Sequence, residues 1–365
     1  MAWLWASVSD LLHYVDVRLA SGTESLMTAC SQSLVTVRST QGRTRNMTKL
    51  STFGRLLGST IVATTLLGAA SAKAADSEAC KTVTFSDVGW TDITATTATA
   101  SVILEALGYD AETELLSVPV TYTSLANGDV DVFLGNWMPT MAADIQPYLD
   151  KGTVVSTGAN LEGAKYTLAV SKNAYDAGLK DFADIAKFKD ELDGEIYGIE
   201  PGNDGNRLIQ DMIDGDQFGL GEFELVESSE QGMLAEVKRK SARDQFIVFL
   251  GWEPHPMNAK YDMAYLDGGD DVFGPNFGGA TVHTNLRAGY TDDCPNAGKF
   301  VTNLKFSLAM ENEIMDAILN EGTDPAKAAA TWIKANPDAA YAWLDGVTTF
   351  DGGDAKAALK SELGL

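Results

Sequence analysis

The chain has 365 residues, 45% of them hydrophobic and 21% charged, with a formal net charge of −24 at pH 7. That length and apolar content suffice for two packed cores. The acidic balance repels nucleic acid and anionic lipid surfaces and mildly favours a cationic ligand.

Residues 1–46 carry no clean apolar or amphipathic period and read as an upstream extension from a misassigned start, with Met47 the better start. From Met47 the chain has a basic opening with Lys49 and Arg55, an apolar stretch from Leu56 to Ala70, and the small-x-small site Ala72-Lys73-Ala74. That order predicts a secretory signal peptide over 47–74, cleaved near Ala74, and hence a periplasmic protein. Gly58, Ser59, Thr60, Thr64 and Thr65 interrupt the stretch, which is too short for a comfortable membrane span. Removing residues 1–74 takes away seven basic and three acidic side chains, which leaves 20 against 48 and a balance of −28.

Beyond residue 75, strand-like and helix-like segments alternate, predicting α/β architecture with largely parallel sheets. Strands are expected over 82–88, 113–118, 130–135, 164–170, 195–200, 223–227, 246–251 and 281–286. Helices are expected over 92–107, 119–127, 140–149, 181–191, 204–214 and 229–240, with a tail from about 296 helical in several pieces. Two strands end alike, Val132-Phe-Leu-Gly135-Asn-Trp137-Met-Pro139 and Val248-Phe-Leu-Gly251-Trp252-Glu-Pro254. Each is an apolar run that stops at a Gly and then presents a Trp, and Val83–Trp90 repeats the idea. Ligands of open α/β sheets sit beyond the carboxyl ends of the strands. Trp90, Trp137 and Trp252, with Tyr166 on the strand Ala164–Val170, are therefore candidates for one aromatic cage, although any single Trp after a strand is more often core.

Directly after Trp90, the segment Thr91-Asp92-Ile93 starts a helix whose free N–H groups, or the Asp92 carboxylate, aim at the strand tips. Gly198–Asn206 leads another strand into a helix in the same way. Taken singly, Asp92, Asn203 and Asp204 read as ordinary helix N-caps. Cys80 and Cys294 remain after export, and an even number predicts a disulfide that pins the start of the chain to a segment more than two hundred residues away. The Gly-rich stretch 267–279 reads as a surface or crossover loop and lacks the spacing of a calcium loop. The two remaining histidines, His255 and His283, have no second ligand or nucleophile at a recognisable spacing, and there is no nucleophile elbow or phosphate loop. No enzymatic activity, metal or cofactor is expected, and His255 is read as holding the loop after Trp252.

A quaternary ammonium offers no hydrogen-bond donor, so specific recognition rests on the negative faces of surrounding rings, each contributing roughly 0.5–2 kcal/mol. Phe85–Ile93, Asp131–Thr140, Gly163–Thr167, Tyr197–Asn206 and Val248–Pro256 together resemble the choline-binding members of the quaternary-amine substrate-binding protein family of ABC importers. The resemblance runs through 76–365 and implies a type II periplasmic substrate-binding fold, two α/β lobes joined by a two-crossing hinge. It implies that Trp90, Trp137, Tyr166 and Trp252 box the trimethylammonium while Asp92 and Asn203 hold the choline hydroxyl. The Cys80–Cys294 pair matches the family's disulfide as well.

Betaine-binding relatives must satisfy a ligand carboxylate, which an ionised Asp92 would repel. Choline is therefore expected over acetylcholine, which lacks the hydroxyl donor, and over glycine betaine. An osmoprotectant receptor for glycine betaine or proline betaine is the alternative in the same fold; an exported structural or sensory protein with core tryptophans is the alternative outside it. Lobe one is placed at 76–158 plus 254–365 and lobe two at 159–253. A monomer is expected, working with separate permease and ATPase subunits of an ABC importer.

Overall fold

The computed structural model describes residues 76–365. The signal peptide assigned to 47–74 and the extension assigned to 1–46 lie outside the described residues. Among the described residues nine strands form one curled, mixed sheet: β1 (Thr82–Asp87), β2 (Asp110–Leu115), β3 (Val132–Met138), β4 (Val154–Ser171), β5 (Glu195–Tyr197), β6 (Glu224–Val226), β7 (Val248–Glu253), β8 (Met263–Tyr265) and β9 (Gly279–Arg287). Their order is β2-β1-β3-β9-β4-β7-β5-β6, with β8 paired to β4 off this path.

The pairing is parallel at both ends of the sheet and antiparallel in the middle. β2, β1 and β3 run parallel, as do β7, β5 and β6, while β9 and β4 lie between them antiparallel to their neighbours. The expectation of largely parallel sheets thus holds for the two outer groups and not for the strands that join them. β4 is 18 residues long and bends, because its register against β9 shifts three times between Ser156 and Ala164. Only its second half was expected as a strand: the first half, Val154-Val-Ser-Thr-Gly-Ala-Asn-Leu-Glu-Gly163, shows no steady alternation, and Gly158 and Gly163 both take positive φ.

Other boundaries moved for local reasons. β2 sits three residues earlier than expected because Pro119 starts a helix, Val118–Asn127, with its fixed φ in the first turn. The helix expected over 181–191 is a short turn, Phe182–Ile185, capped by Asp181, followed by a 3-10 turn. The Gly-rich loop holds two four-residue helices, Asp270–Phe273 and Pro275–Gly278.

The apolar runs of β3 and β7 are buried on both faces, as sheets covered by helices require. Against β1–β3 lies the helix Thr91–Ala106, whose small Ala and Thr residues let the helices Leu308–Leu319 and Pro325–Ala335 pack close. Cys80 and Cys294 form a disulfide with Cα atoms 5.6 Å apart. Beside it the Asp76 carboxylate accepts from the Asn296 and Ala297 backbone N–H groups, at 2.8 and 2.9 Å, and from the Tyr109 hydroxyl at 2.8 Å.

After β7, β8 pairs with β4 at Ala169–Ser171, the Phe182 N–H donates to the Asp267 carbonyl, and Phe182 packs edge-on against Phe273. Residues 263–273 therefore stay with the 168–182 part of the chain.

Candidate functional site

Six residues singled out from the sequence, Trp90, Asp92, Trp137, Tyr166, Asn203 and Trp252, line one pocket together with Ile199 and Asp204. The free space left between them is small, about 20 Å³. All six are 5% exposed or less.

Each side chain reaches the pocket by a different element. Trp137 and Trp252 were expected beyond their strand ends, yet both lie inside β3 and β7, because antiparallel ladders with β9 and β4 carry those strands past Gly135 and Gly251. Trp137 stands opposite Val282, and Trp252 stands opposite Tyr166. Both strands then stop at cis prolyl bonds, Met138-Pro139 and Glu253-Pro254. The Tyr166 ring touches Trp137 and Trp252, with centroids 5.9 and 6.4 Å away, and is backed edge-on by Phe273 at 5.9 Å. Gly205 is required here: any Cβ at that position would overlap the Tyr166 hydroxyl.

The polar groups are held as tightly as the rings. Asp92, in the first turn of the helix Thr91–Ala106, accepts the Trp137 indole N–H on Oδ2 at 3.1 Å, while Oδ1 is buried without a partner. Burial, reinforced by nearby Glu230, pushes its carboxyl up to about 8. Asn203 is both an N-cap and a pocket wall: its Oδ1 accepts from the Asn206 N–H at 3.1 Å and from the Tyr166 hydroxyl at 2.9 Å. Opposite these, the Trp90 indole N–H donates to Glu200 Oε1 at 2.8 Å, and burial raises Glu200 to about 7.

His255 does hold the loop after Trp252. Its Nδ1 accepts from the Met257 N–H at 2.9 Å, so the proton sits on Nε2, which donates to Glu230 Oε1 at 3.2 Å, and the ring stands edge-on to Trp252 at 4.9 Å. Glu230 also accepts from the Thr91 N–H at 2.8 Å and the Thr91 hydroxyl at 2.6 Å.

Ile199, Glu200, Asp204, Glu230 and Phe273 were missed as parts of the site. For the first three the signal was available, since they share the 198–206 turn with Asn203. Glu230 and Phe273 carry no local signal, because only the tertiary fold brings them to the cage.

Four rings, an amide and two buried carboxylates form a small pocket suited to a cation that brings no donors of its own. A family profile described as the substrate binding domain of ABC-type glycine betaine transport system matches residues 81–335. The chain belongs to this family. A solved structure of an ABC-transporter choline binding protein in complex with choline is 66% identical, with a TM-score of 0.78, and the match covers 79% of this chain and 100% of that one. Lactococcal OpuAC, in its closed-liganded conformation complexed with glycine betaine, is 26% identical with a TM-score of 0.65, over 72% of this chain and 98% of that one. An uncharacterized protein, ORF1, of Chromohalobacter salexigens is 54% identical over 129 residues, which is 35% of this chain and 83% of that protein. The fold is that of the type II periplasmic binding proteins, as expected from the sequence.

Proposed function

We propose that this chain is the extracytoplasmic binding protein of an ABC importer, taking up choline between two lobes and delivering it to separate permease and ATPase subunits. One observation carries the reading: four rings and the Asp92 carboxylate converge on a single small pocket. The relative solved with choline, at 66% identity, supports it. Trp90, Trp137, Tyr166 and Trp252 surround the trimethylammonium, each ring contributing roughly 0.5–2 kcal/mol. Asp92 Oδ1 and Asn203 take the choline hydroxyl. Export through the 47–74 signal peptide places the protein in the periplasm, where it acts as a monomer.

The lobe assignment belongs to the same reading. Lobe one comprises 76–158 and the chain from about 279 onward; lobe two lies between, with crossings along β4 and β9. The pairing of β8 with β4 supports a second crossing near 279 in place of the 254 expected from the sequence. Trp90, Asp92 and Trp137 then belong to one lobe, and Tyr166, Asn203 and Trp252 to the other. A ligand touching all six selects the closed arrangement.

The family description favours glycine betaine as a second reading. Against it, the pocket-lining residues include two acidic side chains and no basic one, so a betaine carboxylate would meet no cationic partner there. Isothermal titration against a panel of quaternary amines separates the two. Choline should bind more tightly than acetylcholine, and acetylcholine more tightly than glycine betaine; tighter betaine binding would sink the role given to Asp92.

A further inference from the structure

We propose that Asp204 is a specificity-determining residue of the pocket, whose free carboxylate oxygen supplies a second anionic contact, beside that of Asp92, selecting a cationic ligand over a neutral one of the same shape. The proposal rests on the choline reading above and adds a ligand contact to it.

Asp204 is the first residue of the helix Asp204–Asp214, immediately after the Asn203 cap. An Asp at that position is ordinarily solvated and gains from the positive end of the helix dipole. Here it is 1% exposed. Its Oδ1 takes the Asn203 amide at 3.3 Å, whereas Oδ2 is buried with no hydrogen bond of ordinary geometry; the Thr140 side chain, whose hydroxyl donates to the Trp137 carbonyl, lies near enough to favour the ionised carboxyl. Leaving a buried carboxylate oxygen unpaired is costly unless something comes to it. Asp204 lines the cage with Trp90, Trp137, Tyr166 and Trp252, so a ligand can.

Among the described residues no protein cation is hydrogen-bonded to that oxygen. Arg207, one turn along the helix, directs its guanidinium to the Thr140 carbonyl at 3.2 Å and to Asp144 Oδ2 at 2.9 Å. The other charged neighbours, Asp144 and Glu200, have the same sign as Asp204. Arg207 favours the ionised Asp204 without bonding to it, so a quaternary ammonium in the pocket supplies the direct counter-charge. The rings alone would also accept a tert-butyl group by apolar burial. Asp204 is what penalises that substitution, because a neutral ligand leaves its carboxylate buried and uncompensated.

The test compares choline with its neutral carbon isostere, 3,3-dimethylbutan-1-ol, by isothermal titration on wild-type protein and Asp204→Asn. It is run at about pH 8, above the value of about 6 to which burial pushes Asp204, with the Thr140 side chain acting in the opposite direction. In Asp204→Asn, choline should weaken by about tenfold or more while the isostere changes by less than about twofold. Equal weakening of both ligands would mean a purely structural role and overturn the proposal, as would an unchanged choline-to-isostere ratio. Should Asp204→Asn fail to fold, Asp204→Ser keeps a residue favoured at helix starts and is read the same way. Wild-type protein that ignores choline would overturn the choline reading itself, and the proposal with it; wild-type binding with an unaltered ratio in the variant overturns the proposal alone.

Discussion

Trp137 donates its indole N–H to one oxygen of Asp92 at 3.1 Å and leaves the other oxygen of that carboxylate buried and unpaired. The contact orients the carboxylate and fixes the tilt of the ring at once, so cage and hydroxyl acceptor are set by a single hydrogen bond. The acidic neighbour Glu230 discourages ionisation further, and Glu311, fully enclosed, is itself raised well above the usual carboxylate range by burial and then by Asp92.

A pH dependence follows for the ligand-free protein. The folded-state value of Asp92, about 8, lies above its ordinary 3.8. The folded protein thus holds a proton that the unfolded chain has released, so stability from this group is fully present below 3.8 and is lost as pH rises toward about 8. Glu200 and Asp204, raised to about 7 and about 6, act in the same direction. A bound quaternary ammonium compensates the ionised carboxylates. Scanning calorimetry should therefore show a larger choline-induced rise in Tm at about pH 8 than at about pH 5, and Asp92→Asn should shrink that difference. Equal rises at both values would show that these carboxylates do not meet the cation.

Trp252 stands directly opposite Tyr166 in the ladder of β7 and β4 and is braced by His255. Losing one desolvated ring removes about 2 kcal/mol of cation–π attraction. Trp252→Ala should accordingly weaken choline more than roughly tenfold in a titration, with Trp252→Phe falling between it and the wild type. Undiminished affinity in the Ala variant would remove Trp252 from the cage.

The cage was legible in the sequence because its parts sit on short apolar runs punctuated by Gly and followed by Trp, a pattern that survives without knowledge of pairing. What the pattern could not show was that Trp137 and Trp252 lie within their strands, since that depends on β9 and the first half of β4, whose residues alternate poorly. Glu230 was hidden for a related reason. A Glu after Ser229 reads as an ordinary helix start, and only the fold sets it against Thr91. Asp204 was visible and read as a cap; the fact that distinguishes it is its burial, which no local motif encodes.

The Cys80–Cys294 bridge closes a separation of 214 residues and joins segments that Asp76 already ties together through two backbone hydrogen bonds. On the chain-entropy model such a loop is worth roughly 5 kcal/mol. Replacing both cysteines by Ser should lower Tm by roughly 10 °C in a thermal melt. Neither cysteine lines the pocket, so choline affinity should stay within about twofold. A much larger loss of affinity would mean that the bridge shapes the cage.

Glu230 offers the last test, because it acts on the site through Thr91, the residue between Trp90 and Asp92. Its carboxylate, 1% exposed, gathers the Thr91 N–H and hydroxyl and the His255 Nε2–H. The Thr91 N–H is one of the free donors at the start of the helix Thr91–Ala106. Glu230→Gln leaves one acceptor oxygen and turns an amide donor toward groups that are themselves donors, and hydrogen bonds to a charged partner are worth about 1.5–3 kcal/mol each. Choline should weaken by about tenfold or more. Under the proposed lobe assignment Thr91 and Glu230 lie on opposite lobes and must part before the ligand leaves, so the loss should fall mainly on the dissociation rate, read by stopped-flow tryptophan fluorescence. A variant with a lower Tm but wild-type dissociation kinetics would reduce Glu230 to a helix cap and leave closure to the ligand and the rings alone.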